Sequence, residues 1–130
     1  MNSWSRDVLE FHRKFGLPVN TTAPAMPSEA TIKLRQKLHG EECLETHHAL
    51  EAGDVVGTAD GIVDQIYVLL GTAISCGIDL DPVWEAVHAA NMRKEGGGTR
   101  WDGKILKPAG WQPPDVAAVL MRQGWVPKEE

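Results

Sequence analysis

The chain of 130 residues has few cysteines and no long uninterrupted apolar run. Its two cysteines are too few for a disulfide scaffold. No apolar run approaches the roughly 20 residues that a membrane helix needs. The first residues also lack the charged and then apolar plan of a signal peptide. We therefore expect a cytoplasmic protein with reduced thiols and no membrane partner.

Basic residues are scarce as well. Lysine and arginine total 13 against 18 aspartates and glutamates, which gives a formal net charge of −5. Non-specific nucleic-acid binding needs a strongly basic surface, so no nucleic-acid partner is expected. The apolar fraction of 42% is too high for intrinsic disorder. The length suits one domain that spans residues 1–130.

The periodicity of apolar residues and the helix start and stop signals predict an all-α protein. The four principal helices are expected at 4–15, 29–52, 55–76 and 82–94. Ser28, Asp54 and Asp81 are the expected N-caps of the last three, and Trp84 is expected in the core. Short connections favour an antiparallel arrangement like a four-helix bundle. A short last helix after Pro114-Asp115 follows an irregular, basic C-terminal segment.

Five acidic side chains form two clusters on the second and third predicted helices. They are Glu41, Glu42 and Glu45 on the second helix and Asp60 and Asp64 on the third. Spacings of three and four residues place the members of a cluster on one helix face. Apolar neighbours indicate that part of the set faces another helix, where carboxylates repel one another and resist desolvation. A hard divalent cation would neutralise them, so we predict an Mg²⁺ or Mn²⁺ site.

Charge is unevenly distributed along the chain. Between Ser28 and Asp64 there are three basic and eight acidic residues, a balance of −5. Between Asn91 and Lys107 there are five basic and two acidic residues, a balance of +3. Such a basic segment is either a solvated loop or a site for phosphate groups, and charge alone leaves both readings open.

Two motifs carry a resemblance to a known superfamily. Glu41-Glu42-Cys43-Leu44-Glu45 has the form E-E-x-x-E, and Asp60–Tyr67 supplies a second acidic motif with an aromatic residue after it. Together with the segments 11–18, 87–94 and 102–108, they resemble the MazG-like and phosphoribosyl-ATP pyrophosphohydrolase-like superfamily, especially its small phage-borne members. The resemblance covers most of residues 8–116 and implies an all-α nucleoside triphosphate pyrophosphohydrolase.

The second motif departs from the superfamily pattern at one position. Gly61 stands where a glutamate is usual, three residues before Asp64. Asp60, one residue earlier, is the nearest replacement and is expected to assist as a metal ligand.

The resemblance implies roles for individual residues. The metal ligands would be Glu41, Glu42, Glu45, Asp60 and Asp64, and Glu41 or Glu42 would accept a proton from the attacking water. The phosphate-binding residues would be Asn91, Lys94, Lys104 and Lys107. The base-binding candidates are Phe11, His12 and Trp101. Trp101, like Trp111 and Trp125, could stack on a base, close over the site or pack on a second subunit.

The expected reaction converts a nucleoside or deoxynucleoside triphosphate and water to the monophosphate and pyrophosphate. Several candidate stacking partners favour dGTP or GTP, and the role would be nucleotide-pool control in a bacterium or a phage-infected host. Phosphoribosyl-ATP, dUTP and dCTP are alternative substrates. A non-catalytic helical interaction protein that binds cations structurally is an alternative of another class. The resemblance also implies a homodimer or homotetramer.

Overall fold

The protein is described by a computed structural model, which covers residues 1–129. The helices are α1 (Ser3–Lys14), α2 (Glu29–Glu51), α3 (Val55–Cys76), α4 (Leu80–Met92) and α5 (Val116–Arg122). Within the described residues no strand forms, and an isolated antiparallel bridge joins Thr99 to Ile105. The prediction of an all-α fold is confirmed.

The starts of α2 and α3 follow from the capping residues in the sequence. The side chain of Ser28 accepts a hydrogen bond from the backbone of Thr31, and Asp54 accepts one from Gly57. Each cap satisfies a backbone N–H that the first turn of a helix leaves without a partner. Both predicted N-caps are confirmed, and Gly77 ends α3 in the left-handed conformation at φ 71°.

Two expectations about α4 are wrong. The helix begins at Leu80, so Asp81 lies in its first turn rather than at the N-cap. Trp84 is 75% exposed rather than buried. The apolar periodicity of α4 does not reveal which apolar residue faces the neighbouring helix, and in the structure it is Ala90 that is buried.

Helices α2 and α3 form an antiparallel pair joined by residues 52–54, and α1 packs on α3. The pair comes unusually close where Gly61 lies against Thr46. A Cβ atom at Gly61 would be 2.5 Å from Oγ1 of Thr46 and 3.2 Å from its Cα. Val8 of α1 and Ile74 of α3 are buried in the core of this part of the chain.

The connection between α1 and α2 is extended, as its prolines predict, and is bonded to the end of α3. The backbone N–H of Asn20 donates to the carbonyl of Ile74 (3.1 Å), and that of Ala25 donates to the carbonyl of Cys76 (2.9 Å). These bonds hold the connection against the C-terminal half of α3.

The chain groups into two compact units, Met1–Asp79 and a second that begins at Leu80. In the second unit α4 packs on α5. The indole Nε1 of Trp111 donates to the carbonyl of Ala90 (2.7 Å), which fixes the irregular segment to α4. The single domain expected from the length stays a prediction.

None of the described helices is by itself long and apolar enough to cross a membrane. Only α3 and α4 taken together pass that test, on length and composition alone.

Candidate metal centre and adjoining cavity

Three carboxylates from the two facing helices converge at one point. Glu42 and Glu45 lie one turn apart on α2, and Asp64 lies opposite them on α3. One carboxylate oxygen from each can be chosen so that all three lie within 4.8 Å of one another. Glu42 and Asp64 are half-buried, whereas Glu45 is exposed, so the group is open to solvent on one side.

The convergence of the three carboxylates disfavours the ionised form of Glu42. Its Oε2 is buried and has no hydrogen-bond donor. Burial raises the pKa of Glu42, and the carboxylates of Glu45 and Asp64 raise it further, because each disfavours a second negative charge nearby. While both groups are ionised, Glu45 has no hydrogen to donate to Oε2; a hydrogen bond from protonated Glu42 to Glu45 is a further cause of the raised pKa of Glu42.

The donor set fits a hard divalent cation. Mg²⁺ and Mn²⁺ favour carboxylate oxygen and keep part of their water shell, which suits a site with one exposed side. The unpaired Oε2 of Glu42 is an acceptor that a cation would satisfy where the protein offers no donor. The carboxylates present therefore fit the divalent cation, Mg²⁺ or Mn²⁺, that the sequence predicts.

Two of the five predicted metal ligands lie outside this group of three. Glu41 and Asp60 are both exposed, although Glu41 is near enough to contribute slightly to the raised pKa of Glu42. The structure also gives a reason for the departure at Gly61. The position is buried against Thr46, so a larger side chain there would push α2 away from α3. Thr46 in turn donates its hydroxyl to the carbonyl of Glu42 (2.9 Å).

A cavity of about 280 Å³ adjoins the carboxylates, with Glu42 and Asp64 in its wall. Two base-binding candidates from the sequence, Phe11 and His12, line the same cavity. The ring of Phe11 meets that of Tyr67 edge to face, with centroids 5.4 Å apart. Aromatic and aliphatic walls with a few convergent polar groups are typical of a small-molecule site.

His12 and Arg35 are the polar groups of the cavity apart from the carboxylates and the Tyr67 hydroxyl. His12 is only 2% exposed, and its Nδ1 is 2.9 Å from the carbonyl of Pro18. Arg35 is 8% exposed; its Nε donates to Oγ1 of Thr72 (3.1 Å) and its Nη2 to the carbonyl of Val68 (2.5 Å). Burial lowers the pKa of Arg35. No carboxylate among residues 1–129 forms an ion pair with it.

Sequence reasoning missed Arg35. The available signal was its spacing, since Arg35 precedes Glu42 by seven residues and so lies on the same face of α2, two turns away. Sequence reasoning also missed Gly71. A Cβ atom there would be 2.5 Å from Nη2 of Arg35 and 2.7 Å from Nε2 of His12, so only glycine leaves room for both side chains.

The predicted phosphate-binding residues belong to the second unit. Nζ of Lys94 lies 5.3 Å from the centroid of the Trp111 ring, and Nζ of Lys107 lies 5.1 Å from it. Trp111 thus holds two of the predicted lysines by cation–π contact. Asn91 and Lys104 are exposed. Trp101 is 94% exposed, so within this unit it packs on little.

Comparison with known families supports the same assignment as the carboxylates. A family model described as phosphoribosyl-ATP pyrophosphohydrolase matches residues 8–91. The chain belongs to this family. The matched span contains the second half of α1, all of α2 and α3 and nearly all of α4, and with them all five predicted metal ligands. The protein is thereby a pyrophosphohydrolase of the MazG-like superfamily. A search of curated proteins found no match.

Proposed function

We propose that the protein is a metal-dependent nucleoside triphosphate pyrophosphohydrolase with a preference for dGTP or GTP. The single observation that supports this most strongly is the convergence of Glu42, Glu45 and Asp64 within 4.8 Å beside a cavity with aromatic walls. Carboxylates that fit a divalent cation, next to a cavity with aromatic walls, would suit the hydrolysis of a nucleotide phosphoanhydride.

Glu42, Glu45 and Asp64 would hold Mg²⁺ or Mn²⁺, with Glu41 and Asp60 as further ligands. The bound cation supplies charge neutralisation and lowers the pKa of a coordinated water. A carboxylate of Glu41 or Glu42 accepts the proton of the attacking water. A bond forms between the water oxygen and the α-phosphorus, and the bond from that phosphorus to the bridging oxygen breaks. Pyrophosphate leaves with the electron pair.

The remaining work is done by groups that position the substrate. Asn91, Lys94, Lys104 and Lys107 bind the phosphates and offset the charge of the departing pyrophosphate. Phe11 and Tyr67 form an aromatic wall for the base, and Trp101 is a further candidate to stack on it. Catalysis is then mostly positioning and charge stabilisation.

The test is pyrophosphate release from a panel of nucleoside and deoxynucleoside triphosphates with Mg²⁺ or Mn²⁺. Glu42→Gln is expected to lower kcat by at least about a thousandfold, because it removes a ligand and a candidate proton acceptor. Glu51→Gln, at the exposed end of α2, is the matched control and is expected to keep wild-type activity. Full activity of Glu42→Gln with the helix content unchanged would contradict the proposal.

Phosphoribosyl-ATP is a second candidate substrate, favoured by the description of the matching family. It belongs in the same panel, with dUTP and dCTP. A non-catalytic cation-binding protein would show a melting temperature raised by Mg²⁺ and no pyrophosphate release from any substrate.

We also propose that the protein acts as a homodimer or homotetramer in the cytoplasm of a bacterium or a phage-infected host. The first unit leaves large apolar side chains of α1 and α3 exposed, among them Trp4, Val63 and Leu69. Trp4 and Val63 line one apolar depression with Ile66 and Tyr67, and exposed apolar patches usually mark an interface. Nucleotide-pool control is the role that this reaction would serve.

A further inference from the structure

The inner wall of the cavity carries a hydrogen-bonding pattern that the proposed reaction does not use. Arg35 and His12 meet at Gly71, where a Cβ atom would touch Nη2 of the one and Nε2 of the other. Both side chains are more than nine-tenths buried, and both line the cavity. The cavity therefore has a polar inner wall as well as the carboxylates of Glu42 and Asp64.

Arg35 supplies donors only. Its bonds to Thr72 and to the carbonyl of Val68 leave further N–H groups of the guanidinium without a protein acceptor. Arginine is rarely buried without a paired carboxylate, and among residues 1–129 none forms an ion pair with Arg35. The side chain is buried, but no nitrogen of Arg35 is both buried and without a partner, so its free N–H groups are open to a ligand that brings an acceptor.

His12 supplies an acceptor. A carbonyl oxygen can only accept, so the 2.9 Å contact with Pro18 places the ring hydrogen on Nδ1. In the neutral ring Nε2 is then an acceptor, and it is this atom that lies at Gly71 beside Nη2 of Arg35. A donor and an acceptor therefore lie near the same point of α3, on two side chains that both line the cavity.

The spacing of Arg35 and Glu42 along the backbone of α2 suits a nucleoside. Arg35 and Glu42 are seven residues apart on α2, which is about 10 Å along the helix axis. That length is comparable to the distance from the edge of a base to its α-phosphate. Phe11, Tyr67 and Leu38 line the same cavity and offer apolar surface to the faces of a ring.

We propose that Arg35 and His12 select a base with a lactam edge, in which a carbonyl oxygen stands next to a ring N–H. Guanine, hypoxanthine, uracil and thymine have this edge; Arg35 would donate to the carbonyl oxygen and the ring N–H would donate to Nε2 of His12. Adenine and cytosine present an amino group next to an unprotonated ring nitrogen, which is the reverse pattern. They would leave both buried groups facing like partners.

This inference rests on the proposed function for the position of the phosphates, and its first test needs no variant. Values of kcat/KM are measured with Mg²⁺ for dGTP, dITP, dUTP, dTTP, dATP and dCTP. At least one lactam-edge substrate is expected to exceed both dATP and dCTP by about tenfold or more. Comparison of the purine substrates (dGTP and dITP) with the pyrimidine substrates (dUTP and dTTP) shows which kind of base with a lactam edge fits the cavity. The highest kcat/KM for dATP, dCTP or phosphoribosyl-ATP overturns the inference.

A matched pair of substrates and variants then tests Arg35 itself. The triphosphate of 2-aminopurine deoxyriboside differs from dGTP at the lactam edge alone. If a purine is preferred, the wild-type preference for dGTP over this analogue, about tenfold or more, is expected to fall towards unity in Arg35→Met and to be partly restored in Arg35→Lys; if a pyrimidine is preferred, the same changes are expected in the ratio of dUTP to dCTP. Lys37→Met, an exposed position on the same helix, is the control and should keep the preference.

An unchanged preference in Arg35→Met overturns the inference. Arg35 also joins α2 to α3, so circular dichroism accompanies each variant, and if Arg35→Met does not fold, the wild-type ratio for dGTP and the analogue decides.

Equilibrium binding separates the two proposals. Dissociation constants for dGTP and dATP are measured by calorimetry with Ca²⁺ present, whether or not pyrophosphate is released. Tighter binding of dGTP without hydrolysis of any substrate would overturn the proposed function and support this inference. Hydrolysis of a nucleotide together with equal binding of dGTP and dATP, and of dUTP and dCTP, would support the proposed function and overturn this inference. Absence of binding by every nucleotide would overturn both.

Discussion

At the scale of single residues, Glu42 is where stability and the proposed chemistry oppose each other. Its buried Oε2 and the carboxylates of Glu45 and Asp64 raise its pKa, so its ionised form is costly in the folded protein without a cation. Sites that act on substrates commonly hold such unfavourable groups, because the ligand or metal relieves them. The free energy of unfolding should therefore depend on pH and on cations through this residue.

The metal-free protein is expected to gain stability from Glu42→Gln at pH 8, with a rise in Tm of about 2–5 °C. A raised pKa means that the folded state keeps a proton that the unfolded state releases. The free energy of unfolding therefore falls as pH rises from the ordinary glutamate pKa through the raised one. Glutamine removes this titration and can donate to Glu45 and Asp64. Thermal unfolding with a chelator at pH 5 and pH 8 measures the effect, and a gain that is equal at both would contradict it.

Added Mg²⁺ is expected to raise the Tm of the wild-type protein more at pH 8 than at pH 5. The cation binds the ionised carboxylates, and protons compete with it at the lower pH. Glu42→Gln should lose most of this rise, whereas Glu51→Gln should keep it. The measurement is thermal unfolding across a titration of MgCl₂, and an identical response at the two pH values would sink the assignment of the cation to these carboxylates.

At the scale of elements, the close approach of α2 and α3 sets the geometry of the centre. Gly61 lets α3 reach Thr46 of α2, one turn from Glu42 and three residues from Asp64. Glycine at position 61 therefore allows the two helices to come closer than a larger side chain there would permit. Carboxylates on two elements converge only where the backbones are close enough.

Gly61→Ala is expected to lower Tm by about 3–10 °C, because the added methyl group overpacks the contact with Thr46. It should also weaken the Mg²⁺-induced rise in Tm, since α2 must move away from α3 beside the carboxylates. Gly40→Ala is the matched control, because a Cβ atom there meets nothing within 4 Å. That variant should be neutral or slightly stabilising, as alanine is the better helix former. Equal effects of both substitutions on thermal unfolding would rule out the packing argument.

At the scale of the whole molecule, the exposed apolar side chains of α1 and α3 need a partner surface. Val63 is 59% exposed, and Leu69 and Trp4 are also exposed. A helix of this composition is stable in water chiefly when its apolar surface is covered. The proposed homo-oligomer would cover it.

Multi-angle light scattering at micromolar concentration is expected to give a mass of two or four chains. Leu69→Lys places a charge on the exposed apolar face of α3 and should shift the mass towards the monomer with little change in helix content. Exclusive monomer for the wild-type protein across that concentration range would be inconsistent with the proposal.

Much of the fold could be predicted because local signals set it. Ser28 and Asp54 cap the helices that the sequence predicts, since a cap depends on a few neighbouring residues only. The start of α4 and the exposure of Trp84 could not be predicted in this way. The exposure of Trp84 depends on which face of α4 meets α5, which is a property of packing between distant segments.

The sequence by itself determined the all-α class, the N-caps of α2 and α3 and the acidic and basic segments, because capping, helical periodicity and charge are local properties of the chain. Only the tertiary structure decided which acids meet. It joined Glu42, Glu45 and Asp64 and left Glu41 and Asp60 outside. It also brought Arg35 beside His12 at Gly71, since side chains far apart in sequence become neighbours only when the close packing of helices fixes their register.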